Sequence, residues 1–177
     1  MNSYSGSASE EFIGIDYQKK KILELIKQNR VIGLWGMGGI GKTTLADVVY
    51  KEVSNTFESC YFLQNVREKI EKKGKESVRN EFISILLKDK EIRIDTPSIG
   101  YPYRERLNNI RVIVVLDDVK DPEQVDWMGV KHFGDGSKII LTARDRQLNP
   151  SVDFLHLSYE FVRLAHGSPL ALKDFGC

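Results

Sequence analysis

The feature that most constrains the fold of this chain is the run Gly36-Met37-Gly38-Gly39-Ile40-Gly41-Lys42-Thr43, with a second threonine, Thr44, behind it. It matches the phosphate-loop pattern G-x-x-x-x-G-K-[ST], and its surroundings fit the motif. Val31-Ile32-Gly33-Leu34-Trp35 before it is a short apolar run suited to a buried strand, and Leu45, Val48, Val49 and Val53 after it recur at helical spacing. Glycines let the backbone curl so that successive N–H groups converge on one anion. A helix starting at Lys42 adds the positive end of its dipole. In this setting the Lys42 ammonium serves β- and γ-phosphates, and the Thr43 hydroxyl serves Mg²⁺. Gly36, Gly38, Gly39, Ile40, Gly41, Lys42, Thr43 and Thr44 are therefore candidates for contact with an adenine or guanine nucleotide.

A strand–loop–helix unit of this kind belongs to a parallel sheet, and the rest of the chain supplies further strands. Val112-Ile113-Val114-Val115-Leu116 is uninterrupted and mostly β-branched, as a strand buried on both faces requires. Cys60-Tyr61-Phe62-Leu63 and Lys138-Ile139-Ile140-Leu141 read as two more strands. Helical spacing recurs in Ile22, Leu23, Leu25 and Ile26, and again in Val78, Phe82, Ile85 and Leu86. The charge-rich stretch 67–76 reads as loop or frayed helix broken at Gly74, and 88–104 as a surface connection with one short helix after it. Residues 1–11 read as a flexible tail, the first ten being rich in Ser and Gly. Pro150-Ser151 can cap a final helix that places Leu155, Phe161, Val162 and Ala165 on one face. The expected class is α/β: a P-loop three-layer sandwich over residues 12–149, followed at 150–177 by a remnant of a helical subdomain.

Two carboxylates end the central apolar run. Asp117 falls at the C-terminal end of a buried parallel strand, where such sheets bind ligands, and is the candidate metal residue together with Thr43. Asp118 can orient or activate an attacking water, and is the candidate catalytic residue. The alternative for Asp118 is a capping role in the turn Lys120-Asp121-Pro122. Thr142-Ala143-Arg144-Asp145 follows the next strand on the same face, and the planar fork of Arg144 suits a γ-phosphate.

Composition excludes several classes. With 177 residues there is room for one domain with a real core. A formal net charge of +1 gives no broad attraction to nucleic acid. The longest apolar stretch, Val112 to Leu116, is far too short to span a bilayer, and the polar start Met1-Asn2-Ser3 lacks the features of a secretion signal. Cys60 and Cys177 do not make a disulfide framework, which points to a reducing, cytoplasmic setting. His132, His156 and His166 show no metal-ligand spacing.

Taken together these blocks resemble the NB-ARC nucleotide-binding module of plant intracellular disease-resistance receptors, from Phe12 onward. Trp35 to Ala46 is similar to its P-loop, Val115-Leu116-Asp117-Asp118-Val119 to its Walker B block, and Gly136 to Asp145 to its sensor block. Phe62-Leu63-Gln64-Asn65-Val66-Arg67-Glu68 is similar to a motif of the Toll/interleukin-receptor-type subclass. The resemblance implies that Phe12 to Asp16, and so Ile13 and Gly14, line the adenine pocket through their backbone. It also implies that Pro169, in Gly167-Ser168-Pro169-Leu170-Ala171-Leu172, packs by the nucleotide; Ser168 stands where the family has leucine.

What the resemblance implies for function is an ADP/ATP switch with Mg²⁺ in plant immune signalling, ADP-bound at rest and ATP-bound when active, contacting other receptor chains. A P-loop ATPase with real turnover and a non-binding interaction fragment are the rivals. No Asn-Lys-x-Asp element for guanine is present. The sensor block runs almost directly into the final segment, and the Met-His-Asp motif of such receptors has no counterpart. The chain is thus expected to be a truncated, internally shortened relative. The implied strand order is 5-1-4-3-2, and with no fifth strand apparent in 150–177, strand 31–35 is expected to be an exposed edge.

Overall fold

A computed structural model describes residues 6–36, 38–39, 41–144, 159–165 and 168–173, with only the backbone described for 6–14, 159–165 and 168–173. The elements are α1 (Gly6–Gln28), β1 (Val31–Trp35), α2 (Lys42–Val53), β2 (Ser59–Leu63), α3 (Val66–Lys73), α4 (Lys75–Leu87), α5 (Tyr103–Asn108), β3 (Val112–Leu116), α6 (Pro122–Trp127), β4 (Lys138–Ala143), β5 (Tyr159–Ala165) and β6 (Ser168–Lys173).

The strands form one sheet in the order β2-β3-β4-β1-β5-β6. Every pairing is parallel except β5 with β6, which is antiparallel. Central β3 is buried along its whole length, as its unbroken β-branched run requires. Its pleat sends Val112, Val114 and Leu116 into one apolar layer and Ile113 and Val115 into the other. The first layer is closed by Val66, Val78, Phe82, Ile83, Leu86, Leu107 and Val125 from α3 to α6. The second is closed by Ile22, Leu25 and Ile26 of α1 and Leu45, Ala46 and Val49 of α2. Helices thus cover both faces, and the expected three-layer α/β sandwich is the observed fold.

Three expectations need correction. The expected tail is already helix from Gly6, because α1 starts there and runs unbroken to Gln28; Ala8, Glu10 and Glu11 are good helix formers that outweigh the Ser and Gly around them. The charged stretch around Gly74 is two helices, α3 and α4, with Gly74 at the joint in a positive-φ conformation (φ 84°). The helical remnant expected over 150–177 gives way, where that segment is described, to strands β5 and β6. Consequently β1 is not an edge: β5 lies parallel along it, pairing Val31 with Tyr159 through Trp35 with Arg163. The order 5-1-4-3-2 is present, with β6 added outside β5.

Candidate functional site

The parallel register brings the C-terminal ends of β1, β3 and β4 to one rim of the sheet. Trp35 pairs with Ala143, and the Gly36 N–H donates to the Ala143 carbonyl at 3.1 Å. The glycine loop therefore leaves β1 directly beside the residue that precedes Arg144. Gly39 and Gly41 sit at φ 83° and 93°, conformations that L side chains rarely adopt. A Cβ on Gly38, Gly39 or Gly41 would meet no atom of the described residues within 4 Å. Ile40 lies outside the described residues.

Lys42 opens α2 and is buried, at 8% exposure. Its ammonium donates to the Gly36 carbonyl at 2.6 Å, closing the loop on itself. Burial pushes the Lys42 pKa below its ordinary value, and the Arg144 charge adds to that; Asp118 and Asp117 work the other way. A cation held at that cost in solvation is a ready partner for an anion.

Asp117, 3% exposed, is the hub of the rim. Its Oδ1 accepts from the Thr43 and Thr142 hydroxyls, both at 2.7 Å, and its Oδ2 accepts from the Asn65 N–H at 3.2 Å. Thr142 in turn accepts from the Asp118 N–H at 2.8 Å, which stitches the ends of β3 and β4 together. The start of α3 docks on both aspartates, because the Val66 N–H donates to the Asp117 carbonyl at 2.8 Å and the Arg67 N–H to the Asp118 carbonyl at 3.4 Å. Asp117 and the Thr43 hydroxyl lie in direct contact, a hard-oxygen pair of the kind that holds Mg²⁺ with water completing its shell. Among the described residues no group of three or more His, Cys, Asp or Glu gathers.

Asp118 adopts φ 57°, an uncommon conformation for a residue with a side chain. Its carboxylate takes an Arg67 terminal nitrogen at 3.0 and 3.4 Å and the Arg144 Nε at 3.3 Å. The capping alternative fails for Asp118, since it is Asp121 that caps α6 by accepting from the Gln124 N–H at 3.1 Å.

The structure therefore brings together Gly36, Lys42, Thr43, Asp117, Asp118 and Arg144. Thr44 follows in the first turn of α2 and is exposed. Ile13 and Gly14 fall inside α1, where helical bonding engages backbone N–H and C=O groups, and Pro169 lies in β6 opposite Leu164. Three residues of the rim were not legible as site residues: Asn65, Arg67 and Thr142. The signal for Asn65 was its tolerance of positive φ, here 51°. For Arg67 there was only a block of sequence without an assigned partner.

The model of the NB-ARC domain family matches residues 15–162. The disease resistance-like protein DSC1 of Arabidopsis thaliana is 36% identical over 156 residues, covering 84% of this chain and 13% of its own. Disease resistance protein RUN1 of Vitis rotundifolia is 31% identical over 211 residues (96% and 16%), and TMV resistance protein N of Nicotiana glutinosa is 30% identical over 215 (94% and 18%). The latter two alignments exceed the 177 residues here, so those relatives carry internal segments with no counterpart in this chain. The chain spans less than a fifth of the length of each of the three. Among solved structures, Bacteroides sp Pif1 in complex with ADP-AlF4 matches 83% of this chain and 41% of its own at 15% identity and TM-score 0.46; the strand order itself, not that likeness, fixes the fold. With the P-loop, the paired aspartates and the post-strand arginine all at one rim, this chain belongs to the NB-ARC family, as found in plant disease resistance proteins.

Proposed function

We propose that this chain is an ADP/ATP-binding switch module of plant immune signalling, working in the cytoplasm with Mg²⁺ and contacting other receptor chains. The observation that carries it is the Asp117 hub. One carboxylate joins the P-loop threonine, the end of β4 and the start of α3, so whatever binds at Thr43 is coupled mechanically to two other elements. Lys42 and the loop N–H groups would take the phosphates, and Thr43 with Asp117 the metal. The metal would supply charge neutralisation between phosphate oxygens. The protein's part is to hold Thr43 and Asp117 in register. Adenine rather than guanine fits the absence of a guanine-reading element in the sequence.

Calorimetric titration with ADP and ATP, with and without Mg²⁺, tests this reading. Lys42→Ala should weaken binding of either nucleotide by about 2–4 kcal/mol, since a desolvated phosphate charge loses its partner. Equal affinity for wild type and variant would end the proposal. A turnover enzyme is the second reading, and the two guanidiniums on Asp118 speak against it, because they engage the oxygens a general base would use. Hydrolysis should fall well below the roughly 10 s⁻¹ median of enzymes. A fast steady-state rate from the chain alone would favour the enzyme.

A further inference from the structure

We propose that Asp118 is a latch on Arg144 whose hold is set by Arg67, so that this chain of two ion pairs governs how the site discriminates a nucleoside triphosphate from a diphosphate. The inference rests on the nucleotide-binding reading and deepens it. Its ground is an asymmetry between the two ion pairs of Asp118. Arg67, with 29% of its side chain exposed, reaches both Asp118 oxygens, at 3.0 and 3.4 Å. Arg144, with 61% exposed, approaches one of them through Nε at 3.3 Å. The first pair is the more enclosed and the better bonded; the second is the looser and the easier to give up.

Position adds to this. Arg144 follows Ala143, whose carbonyl holds the Gly36 N–H, so Arg144 emerges next to the phosphate loop. Its charge is felt at Lys42, where it opposes protonation. Asp118 itself is fixed from behind, with its N–H on Thr142 and its carbonyl accepting from the Arg67 N–H at 3.4 Å. The carboxylate is thus a stationary post between an arginine on α3 and an arginine on the phosphate side. A terminal phosphate placed beyond Lys42 competes with Asp118 for Arg144. A diphosphate, lacking that group, leaves the latch closed. Arg67 shares the negative charge of Asp118 and thereby weakens its grip on Arg144. Arg67 is a positioning residue in this scheme, acting through Asp118 and not on the ligand.

The test is the ratio of affinities for ADP and a non-hydrolysable ATP analogue, each with Mg²⁺, measured on the whole chain. Asp118→Asn should move the ratio toward the triphosphate by about two- to fivefold, the equivalent of one partly exposed ion pair. Arg67→Ala should move it toward the diphosphate by a similar factor, and Arg67→Lys should restore most of the change. Because Arg67 acts through Asp118, Arg67→Ala should have no effect on the ratio in the Asp118→Asn background, nor should Asp118→Asn in the Arg144→Ala background. A through-space charge effect would persist in both backgrounds, and that result would overturn the latch. So would an unchanged ratio in variants that melt like wild type. If wild type binds neither nucleotide, the site reading falls and the latch with it; if it binds both and the ratio never moves, the latch alone falls.

Discussion

Thr142 shows how much a single hydroxyl can hold. It donates to Asp117, accepts from the Asp118 N–H, and is itself 1% exposed. Its carbonyl also accepts from the Val119 N–H at 2.9 Å. Replacing it with valine keeps the shape and removes one donor and one acceptor, leaving the part-buried Asp118 N–H without that partner. Thr142→Val should therefore lower stability by about 1–3 kcal/mol, read as a shift in the denaturant midpoint. It should also weaken the Mg²⁺ dependence of nucleotide binding, since Asp117 loses one of the groups that orient it. A variant as stable as wild type with the same Mg²⁺ response would show that the strand ends are held elsewhere. Lys42, Thr43 and Asp117 were legible in the sequence because phosphate chemistry fixes their types and spacing. Thr142 was legible only as part of a run, because its role depends on which strand lies beside β3.

At the scale of elements, the long connection between α4 and α5 is held as a strap. Ile92, Ile94 and Ile99 are buried under it. Asn80 on α4 clasps Ile94 in both directions, accepting from its N–H at 2.9 Å and donating to its carbonyl at 3.2 Å. Arg79, fully buried, donates to the carbonyls of Thr96 and Pro97, and its guanidinium carbon lies 3.8 Å from the Trp127 ring centre. Lys75 lies over the same ring at 4.4 Å, and the Trp127 indole donates to the Lys75 carbonyl at 2.9 Å. Burial pushes the Arg79 pKa below its ordinary value, the cost of a cation that is bound by carbonyls and a ring. Arg79→Met keeps much of the packing but loses every donor. The expected loss is about 1–3 kcal/mol, with faster proteolytic cleavage within 88–102. Unaltered cleavage and midpoint would mean that the isoleucines hold the strap alone. The sequence marked 88–104 as a connection from its prolines and Gly100, but the clasp was hidden. Nothing in the spacing of Arg79 and Trp127 shows that α4 and α6 meet.

At the scale of the whole molecule, the decisive question is what covers β1. Leu155, Phe161, Val162 and Ala165 fall on one helical face, and that spacing argued for helix. Tyr159–Ala165 contains one β-branched residue, Val162, and its local preference is weak. Tertiary pairing settles the matter: β1 offers a complete set of backbone groups on its free side, and leaving them unpaired beside Ile32 and Leu34 costs more than a short segment's helical preference is worth. The fold closes around this choice, since β1 carries the phosphate loop, and β4 and β5 hold it from both sides. Slow hydrogen exchange is therefore expected along Val31–Trp35 in the wild-type chain. Val162 pairs with Leu34 on one side and Ala171 on the other, so Val162→Pro removes an N–H from a strand bonded on both sides. Exchange along 31–35 should then accelerate by about tenfold or more, the equivalent of one lost buried hydrogen bond. Concentration-dependent association should follow, because a bared apolar edge is a template for another chain. Mass-spectrometric exchange and light scattering measure both effects. Fast exchange along 31–35 already in the wild type, or identical rates in the two proteins, would mean that β5 does not cover β1 in solution and that the phosphate loop hangs from an edge strand.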